Sequence, residues 1–215
     1  MIPKEFVRTI EDWDTDEMYN YTAEEHRFFG DTVKGLSTQE GFNGIGIDED
    51  NVPIPYSLGV HSVKWLREVV SIVKPKRILE IGFNLGYSSA LWLNIAKELE
   101  YIAAVDISDK RETLSSANFL KKSYPNKFDF HHFDSKRVFP ILEGVSFDTI
   151  FIDGCHDLDY ILNDIDLGLK LKIPNFIFDD WNPLFSDVQK ALNLRPELQV
   201  THLITNIAIA KNTTL

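Results

Sequence analysis

The sequence predicts an α/β fold: a doubly wound, mostly parallel sheet that ends in an antiparallel strand and carries helices on both faces. Three observations support this class. Short apolar runs typical of buried strands alternate with longer segments of helical periodicity. A glycine turn follows the first apolar run, and polar residues follow the later ones. The 215 residues, 44% of them hydrophobic, are enough for one domain with a sizeable core.

The elements are predicted in chain order from these patterns. A helix over 57–73 has its apolar residues mostly on one stripe, and Pro75 closes it. Strands are then predicted at 77–82, 101–106, 127–133, 147–152 and 174–179. The intervening helices are predicted at 87–99, 109–123, 135–143 and 157–171. A helix at 183–193 and strands at 200–205 and 207–210 complete a Rossmann-like order.

The segment over 77–89 has the pattern of a buried strand, a glycine turn and a helix start. Gly82 and Gly86 permit a tight turn and a close approach of the backbone to a ligand. The next strand ends on Asp106, 24 residues after Gly82, where a carboxylate can accept both hydroxyl protons of a ribose. This spacing predicts a cofactor that contains a nucleoside.

The loop does not have the Gly-x-Gly-x-x-Gly pattern of a dinucleotide site, and the acid Glu80 precedes it, which favours a cationic ligand. The run Glu80-x-Gly-x-x-x-Gly-x-Ser resembles the first motif of class I S-adenosylmethionine-dependent methyltransferases. A glycine turn of another doubly wound protein, including a nicotinamide-dependent oxidoreductase, is the alternative. The resemblance implies S-adenosylmethionine as the cofactor, with contacts from Glu80, Gly82, Phe83, Asn84, Gly86, Ser88, Asp106, Ile107, Asp134, Ser135 and Asp153.

Acidic residues follow two of the later strands. Asp153 ends the fourth predicted strand, and Asp179 and Asp180 follow the fifth. Neighbouring parallel strands lie about 5 Å apart and end at the same rim, so these carboxylates can converge. Converging carboxylates repel one another, and a hard divalent cation such as Mg²⁺ is the simplest compensation. The alternative is that each acid caps the helix that follows it.

The run Asp153-Gly154-Cys155-His156, followed by Asp179-Asp180, is similar to the branch of metal-dependent O-methyltransferases that includes the macrocin-type sugar enzymes and the catechol enzymes. The resemblance implies Asp153, Asp179 and Asp180 as metal ligands. It also implies O-methylation of a small hydroxylated molecule, sugar or catechol-like. Relatives commonly carry an acid and an aromatic residue where this chain has Cys155 and Leu158. His156 is the predicted general base, since histidine exchanges protons near neutral pH, and Asp153 is the second predicted catalytic residue.

Charge divides the chain unevenly. Residues 1–52 carry 13 acids and 4 bases, so −9 of the net charge of −11 lies there. This segment is predicted to be an arm, a lid or an oligomerisation segment, with a homodimer as one outcome, and residues 53–215 to be the cofactor-binding domain. A partner-binding protein without catalysis is a further alternative. The chain has no basic stripe for nucleic acid and no apolar run long enough to span a membrane, and its single cysteine excludes an intramolecular disulfide. A cytoplasmic protein is expected.

Overall fold

The structure, a computed structural model, describes residues 45–47, 53–55, 61–181, 187–204 and 206–215. Most of the predicted arm at 1–52 lies outside these residues, so its role as a lid or dimer contact stays a prediction. The start of the helix predicted at 57–73 and residues 183–186 of the helix predicted at 183–193 lie outside them as well.

A small antiparallel sheet comes first, formed by β1 (Ile45–Ile47) and β2 (Pro53–Pro55). The elements that follow are α1 (His61–Val73), β3 (Arg77–Ile81), α2 (Tyr87–Ile95), β4 (Tyr101–Asp106), α3 (Arg111–Ser123) and β5 (Phe128–His132). A 3-10 turn at Ser135–Arg137 precedes α4 (Phe139–Leu142), β6 (Thr149–Ile152), α5 (Leu158–Lys170) and β7 (Asn175–Phe178). The described chain ends with α6 (Asp187–Asn193), β8 (Leu198–Ile204) and β9 (Ile207–Asn212).

The main sheet has seven strands in the order β5-β4-β3-β6-β7-β9-β8. Strands β3 to β7 are parallel, while β9 runs antiparallel to β7 and β8 antiparallel to β9. The predicted fold class is therefore confirmed. The chain adds strands on one side of β3 and then returns to add β6 on its other side. That reversal opens a crevice at the carboxyl ends of β3 and β6, where ligands bind in open sheets of this kind.

Two hydrophobic clusters cover the two faces of the sheet. Consecutive residues of a strand point to opposite faces, and accordingly Ile78 belongs to one cluster and Leu79 to the other. The first cluster includes residues of α1, α2 and α3, and the second includes residues of α4, α5 and α6. Helices thus cover both faces, as predicted. None of the helices in the described part of the chain is long and apolar enough to cross a membrane.

Two helix predictions are wrong in extent. The helix predicted at 135–143 is interrupted: the Asp134 side chain accepts a hydrogen bond from the Lys136 amide at 3.0 Å and favours a tight 3-10 turn. Pro140 then lies in the first turn of α4, the position in a helix that tolerates a missing N–H. The helix predicted at 87–99 ends at Ile95, because Ala96 leaves the helical region with φ −81° and ψ 88°.

Candidate active site

A cavity of about 500 Å³ lies beyond the carboxyl ends of β3, β4 and β6 and reaches the end of β7. Most of the site residues predicted from the sequence line it: Gly82, Phe83, Asn84, Ser88, Asp106, Ile107, Asp134, Ser135, Asp153, His156, Asp179 and Asp180. Glu80 and Gly86 do not line it. The topology therefore brings the predicted cofactor residues and the predicted catalytic residues to one cavity.

The glycine turn is shaped by packing within the protein. Gly82 has φ +97°, and a Cβ atom there would lie 2.0 Å from the carbonyl oxygen of Asp153. Gly86 has φ +80°, and its Cβ would lie 2.4 Å from the ring of Phe83. Gly82 thus lets the end of β3 and the end of β6 lie side by side. The sequence predicted close approach to a ligand at both glycines, whereas Gly86 meets the Phe83 ring and lies behind the cavity surface.

Asp106, at the end of β4, connects two loops of the site. One carboxylate oxygen accepts a hydrogen bond from the Asn84 amide at 2.6 Å, and the other accepts one from the Ser108 amide at 2.7 Å. Asn84 has φ +46°, a left-handed conformation that asparagine tolerates better than most residues. Each carboxylate oxygen keeps a further lone pair, because an ionised carboxylate offers about four acceptor positions. Asp106 therefore fixes the glycine turn and still has acceptor capacity towards the cavity.

Glu80 lies behind the cavity wall. Its carboxylate is fully buried and accepts hydrogen bonds from the hydroxyls of Ser88 and Ser89 in the first turn of α2. Burial raises the pKa of Glu80 to about 7; the two serine hydrogen bonds oppose this rise, and repulsion from Asp106 adds to it. Ser88 lines the cavity and Glu80 does not. Glu80 thus acts on the position of Ser88 instead of forming the cavity surface itself.

Two acids from neighbouring strands meet at the other side of the cavity. Asp153 follows β6 and Asp179 follows β7, and the Asp179 amide donates to the carbonyl of Ile152 at 3.1 Å. The two carboxyls are close enough to share a hydrogen bond. Burial, followed by repulsion from Asp179, raises the pKa of Asp153 well above its usual range. Burial also raises the pKa of Asp179 to about 6.

Asp180 lies beside His156. Its Oδ2 lies 3.4 Å from Nε2 of His156, and both side chains are more than half exposed. Within the described ranges, no group of three or more His, Cys, Asp or Glu side chains is arranged to hold a metal ion. The predicted set of Asp153, Asp179 and Asp180 is thus divided into an acid pair and an acid beside the histidine. The prediction of Mg²⁺ stays a prediction.

Polar residues after β5 and on α5 form the remaining wall. Ser135 donates a hydrogen bond to Asp164, a buried residue of α5 whose pKa burial raises to about 6. The Nζ atom of Lys136 lies 3.6 Å from the ring centroid of Tyr160, which also lines the cavity. The sequence predicts no role for Asp164. Its position three residues after Ile161, within the apolar stripe of α5, is a signal that an acid is buried there.

Comparison with known proteins agrees with this geometry. A family model described as a methyltransferase domain matches residues 79–180, which hold the glycine turn and the strand-end acids. No curated protein matches the sequence at a significant level.

Several solved structures share the fold. An S-adenosylhomocysteine-bound methyltransferase from Podospora anserina, PaMTH1, is 16% identical with a TM-score of 0.62, and the match covers 95% of this chain and 97% of that one. The O-methyltransferase TomG from Streptomyces achromogenes, solved with S-adenosylmethionine, is 17% identical with a TM-score of 0.59, covering 96% and 100%. A Bacillus cereus O-methyltransferase, solved with S-adenosylhomocysteine, is 17% identical with a TM-score of 0.61, covering 94% and 97%.

These similarities bear on the resemblance drawn from Glu80 to Ser88 and from Asp153 to Asp180. The family match spans both motifs, and the solved structures share the fold over nearly the whole chain. The match of residues 79–180 to a methyltransferase-domain model agrees with the predicted resemblance, and the solved structures show that the chain has the same fold.

Proposed function

We propose that the protein transfers a methyl group from S-adenosylmethionine to a hydroxyl oxygen of a small molecule, sugar or catechol-like, with assistance from a divalent cation. One observation carries the proposal. Asp106 at the end of β4 and the group formed by Asp153, Asp179 and His156 line the same cavity. Asp106 can bind the ribose of the cofactor, and the group of three residues can bind the acceptor hydroxyl and take up its proton. Two of the similar structures are O-methyltransferases, which supports oxygen as the methyl acceptor.

The cavity has the properties that the cofactor requires. Its volume of about 500 Å³ lies within the usual range of ligand sites. Asp106 can still accept hydrogen bonds from the ribose hydroxyls. Ser88, in the first turn of α2, lines the cavity. S-adenosylmethionine supplies a methyl group activated by a positively charged sulfur. Acidic residues around the cavity favour a ligand of that charge.

The proton of the acceptor must leave during transfer, because a neutral hydroxyl is a weak nucleophile. His156 lies at the cavity, with its Nε2 3.4 Å from Oδ2 of Asp180. A positioned base of this kind contributes about 10² to 10⁴-fold to the rate. We therefore assign the acceptor proton to His156. Asp153 is assigned to the acceptor side of the cavity, where it faces Asp179.

The acid pair fits a divalent cation in its donor chemistry. Asp153 and Asp179 offer carboxylate oxygens, the ligands that Mg²⁺ prefers, and burial together with repulsion from neighbouring acids raises their pKa values. Asp153 and Asp179 would hold the cation, and Asp180 is a further carboxylate that lines the same cavity. A bound cation would supply charge stabilisation for an oxygen that is losing its proton. The departures from the usual motif at Cys155 and Leu158 leave this acid pair intact.

Thermal unfolding in the presence of ligands tests the cofactor. Samples would contain S-adenosylmethionine, S-adenosylhomocysteine or NAD, each with Mg²⁺ or with a chelator. A ligand at a hundredfold excess over its dissociation constant adds about 2.7 kcal/mol, so the midpoint should rise by roughly 5 to 10 °C. We expect the rise with the two adenosyl ligands and not with NAD. A rise with NAD alone would favour an oxidoreductase, and no rise with any ligand would favour a binding protein without catalysis.

Methyl transfer to a panel of sugars and catechols then tests the reaction. We expect turnover that chelator abolishes and added Mg²⁺ restores. The substitution His156→Gln should lower turnover by about a hundredfold or more while the cofactor still binds, because only proton removal is lost. A control substitution at exposed His202, on β8 and away from the cavity, should leave turnover unchanged. Turnover that survives both chelator and His156→Gln would refute the proposed mechanism.

A further inference from the structure

The turn between β8 and β9 reaches the same rim as the acid pair. Strands β8 and β9 pair up to Ile204 opposite Ile207, and β9 pairs with β7 up to Ala208 opposite Phe178. Asn206 in this turn therefore stands beside the residues that follow β7. It lies 27 residues after Asp179 in the sequence, and only the sheet topology brings the two together.

Asn206 contacts three consecutive residues there. Its side-chain nitrogen Nδ2 donates a hydrogen bond to Oδ1 of Asp179 at 2.9 Å and lies 3.4 Å from Oδ1 of Asp180. Its backbone carbonyl accepts a hydrogen bond from the Trp181 amide at 2.7 Å. One residue thus fixes both carboxylates and the backbone that follows them. The half-buried position of Asn206 limits competition from water.

The orientation of this amide follows from its partners. Only the nitrogen end of an amide can donate to two carboxylates, so Nδ2 and not Oδ1 must face Asp179 and Asp180. Oδ1 is then buried on the other side and has no hydrogen-bond partner among the described residues. Asp180 also has a left-handed φ of +53°. An unpaired oxygen and a strained residue both disfavour the folded state, and such costs concentrate where function requires a fixed geometry.

Each of the two acids that Asn206 contacts is in turn close to a predicted catalytic residue. Asp179 is hydrogen-bonded to Asp153, and Asp180 lies beside His156. We propose that Asn206 is a positioning residue of the active site, which holds Asp179 against Asp153 and Asp180 towards His156. This inference rests on the proposed function, in which the acid group binds a divalent cation. Asn206 itself does not line the cavity.

Metal binding measured apart from turnover tests this role. Mn²⁺ is a suitable probe because it takes the same oxygen ligands as Mg²⁺ and its binding can be followed by electron paramagnetic resonance. Loss of a residue that orients metal ligands typically weakens metal binding by about 10 to 100-fold. We expect Asn206→Ala to weaken Mn²⁺ binding by at least about tenfold. Calorimetry on the same protein should give an S-adenosylmethionine affinity within about twofold of the parent chain, because Asn206 does not line the cofactor cavity.

Asn212 provides the matched control. Asn212 is buried and lies on β9, at the end of the strand far from the cavity. Its side chain donates a hydrogen bond to the carbonyl of Ile173 and accepts one from the amide of Thr214. Asn212→Ala should lower the unfolding temperature and leave Mn²⁺ binding unchanged. A purely structural role for Asn206 would make the two variants behave alike. Asn206→Ser, which keeps a small polar residue in the turn, replaces the alanine variant if that variant does not fold.

The outcomes separate this inference from the proposed function. Weaker Mn²⁺ binding in Asn206→Ala or Asn206→Ser with an unchanged cofactor affinity would support the positioning role. If the parent chain binds Mn²⁺ and both Asn206 variants bind it equally well, the positioning role is overturned and the proposed function stands. If the parent chain binds S-adenosylmethionine but no Mn²⁺, the cation part of the proposed function fails and the positioning role fails with it.

Discussion

Replacing Glu80 by glutamine probes the buried acid behind the cavity. The Glu80 carboxylate is fully buried and accepts hydrogen bonds from the hydroxyls of Ser88 and Ser89. Glutamine has nearly the same shape, and serine hydroxyls can rotate to donate or to accept. Glu80→Gln therefore removes an ionisable group and keeps the packing and both hydrogen bonds.

The size and sign of the effect follow from the pKa. Burial raises the pKa of Glu80 from 4.5 to about 7, so the folded protein keeps a proton that the unfolded chain releases near pH 4.5. The stability that this proton provides is present below pH 4.5 and is lost as the pH rises to about 7. At 1.36 kcal/mol per pH unit, the loss is about 3 kcal/mol at most. Glutamine does not ionise, so the variant does not undergo this loss of stability.

Urea denaturation between pH 5 and pH 8 measures the difference. We expect the free energy of unfolding of Glu80→Gln, relative to the parent chain, to increase by about 2 to 3 kcal/mol across this range. Comparison with the parent chain at each pH cancels the titration of other acids. Glu98→Gln, at an exposed position, should show no such trend. A difference that stays constant with pH, or a variant that is less stable at pH 8, would refute the burial argument.

Three further outcomes test other parts of the structure. Gly82→Ala should destabilise the protein by about 2 to 4 kcal/mol more than Gly144→Ala in urea denaturation, because both glycines have positive φ but only Gly82 has backbone within contact distance. Asp106→Asn should weaken S-adenosylmethionine binding about tenfold or more by calorimetry, since one acceptor oxygen is lost; an unchanged affinity would remove its ribose role. The exposed pair between Arg195 and Asp166 should contribute less than about 1 kcal/mol in a double-mutant cycle.

The fold was predictable where local patterns and the sheet agree. Strands β3, β4 and β6 are almost entirely buried, so continuous apolar runs marked them. The region over 135–143 was not predictable as a continuous helix, because its structure depends on one side-chain hydrogen bond from Asp134 and on the place of Pro140 within the first turn. The last two strands were predicted too short, since their ends are fixed by pairing with each other and not by periodicity.

The site was predictable where it depends on strand ends. Asp106, Asp153 and Asp179 each follow an apolar run, and a parallel sheet brings such residues to one rim. The inward position of Glu80 follows from the same logic: it shares a strand face with Ile78, and that face is covered by α2. Asn206 gave no local signal, because its contacts exist only where β9 inserts antiparallel between β7 and β8.

The carboxyl groups whose pKa values are raised by burial lie at the cavity or next to it. Asp153, Asp164 and Asp179 line the cavity, and Glu80 lies one residue before its wall. Burial is the largest cause of the rise at each of them. The folded protein would be more stable with an apolar residue or an amide at each of these positions, so folding alone does not explain the presence of the acids. A ligand that brings positive charge, a sulfonium or a divalent cation, would reduce this cost on binding. We therefore expect these acids to lower the stability of the free protein and to contribute to its affinity for such a ligand.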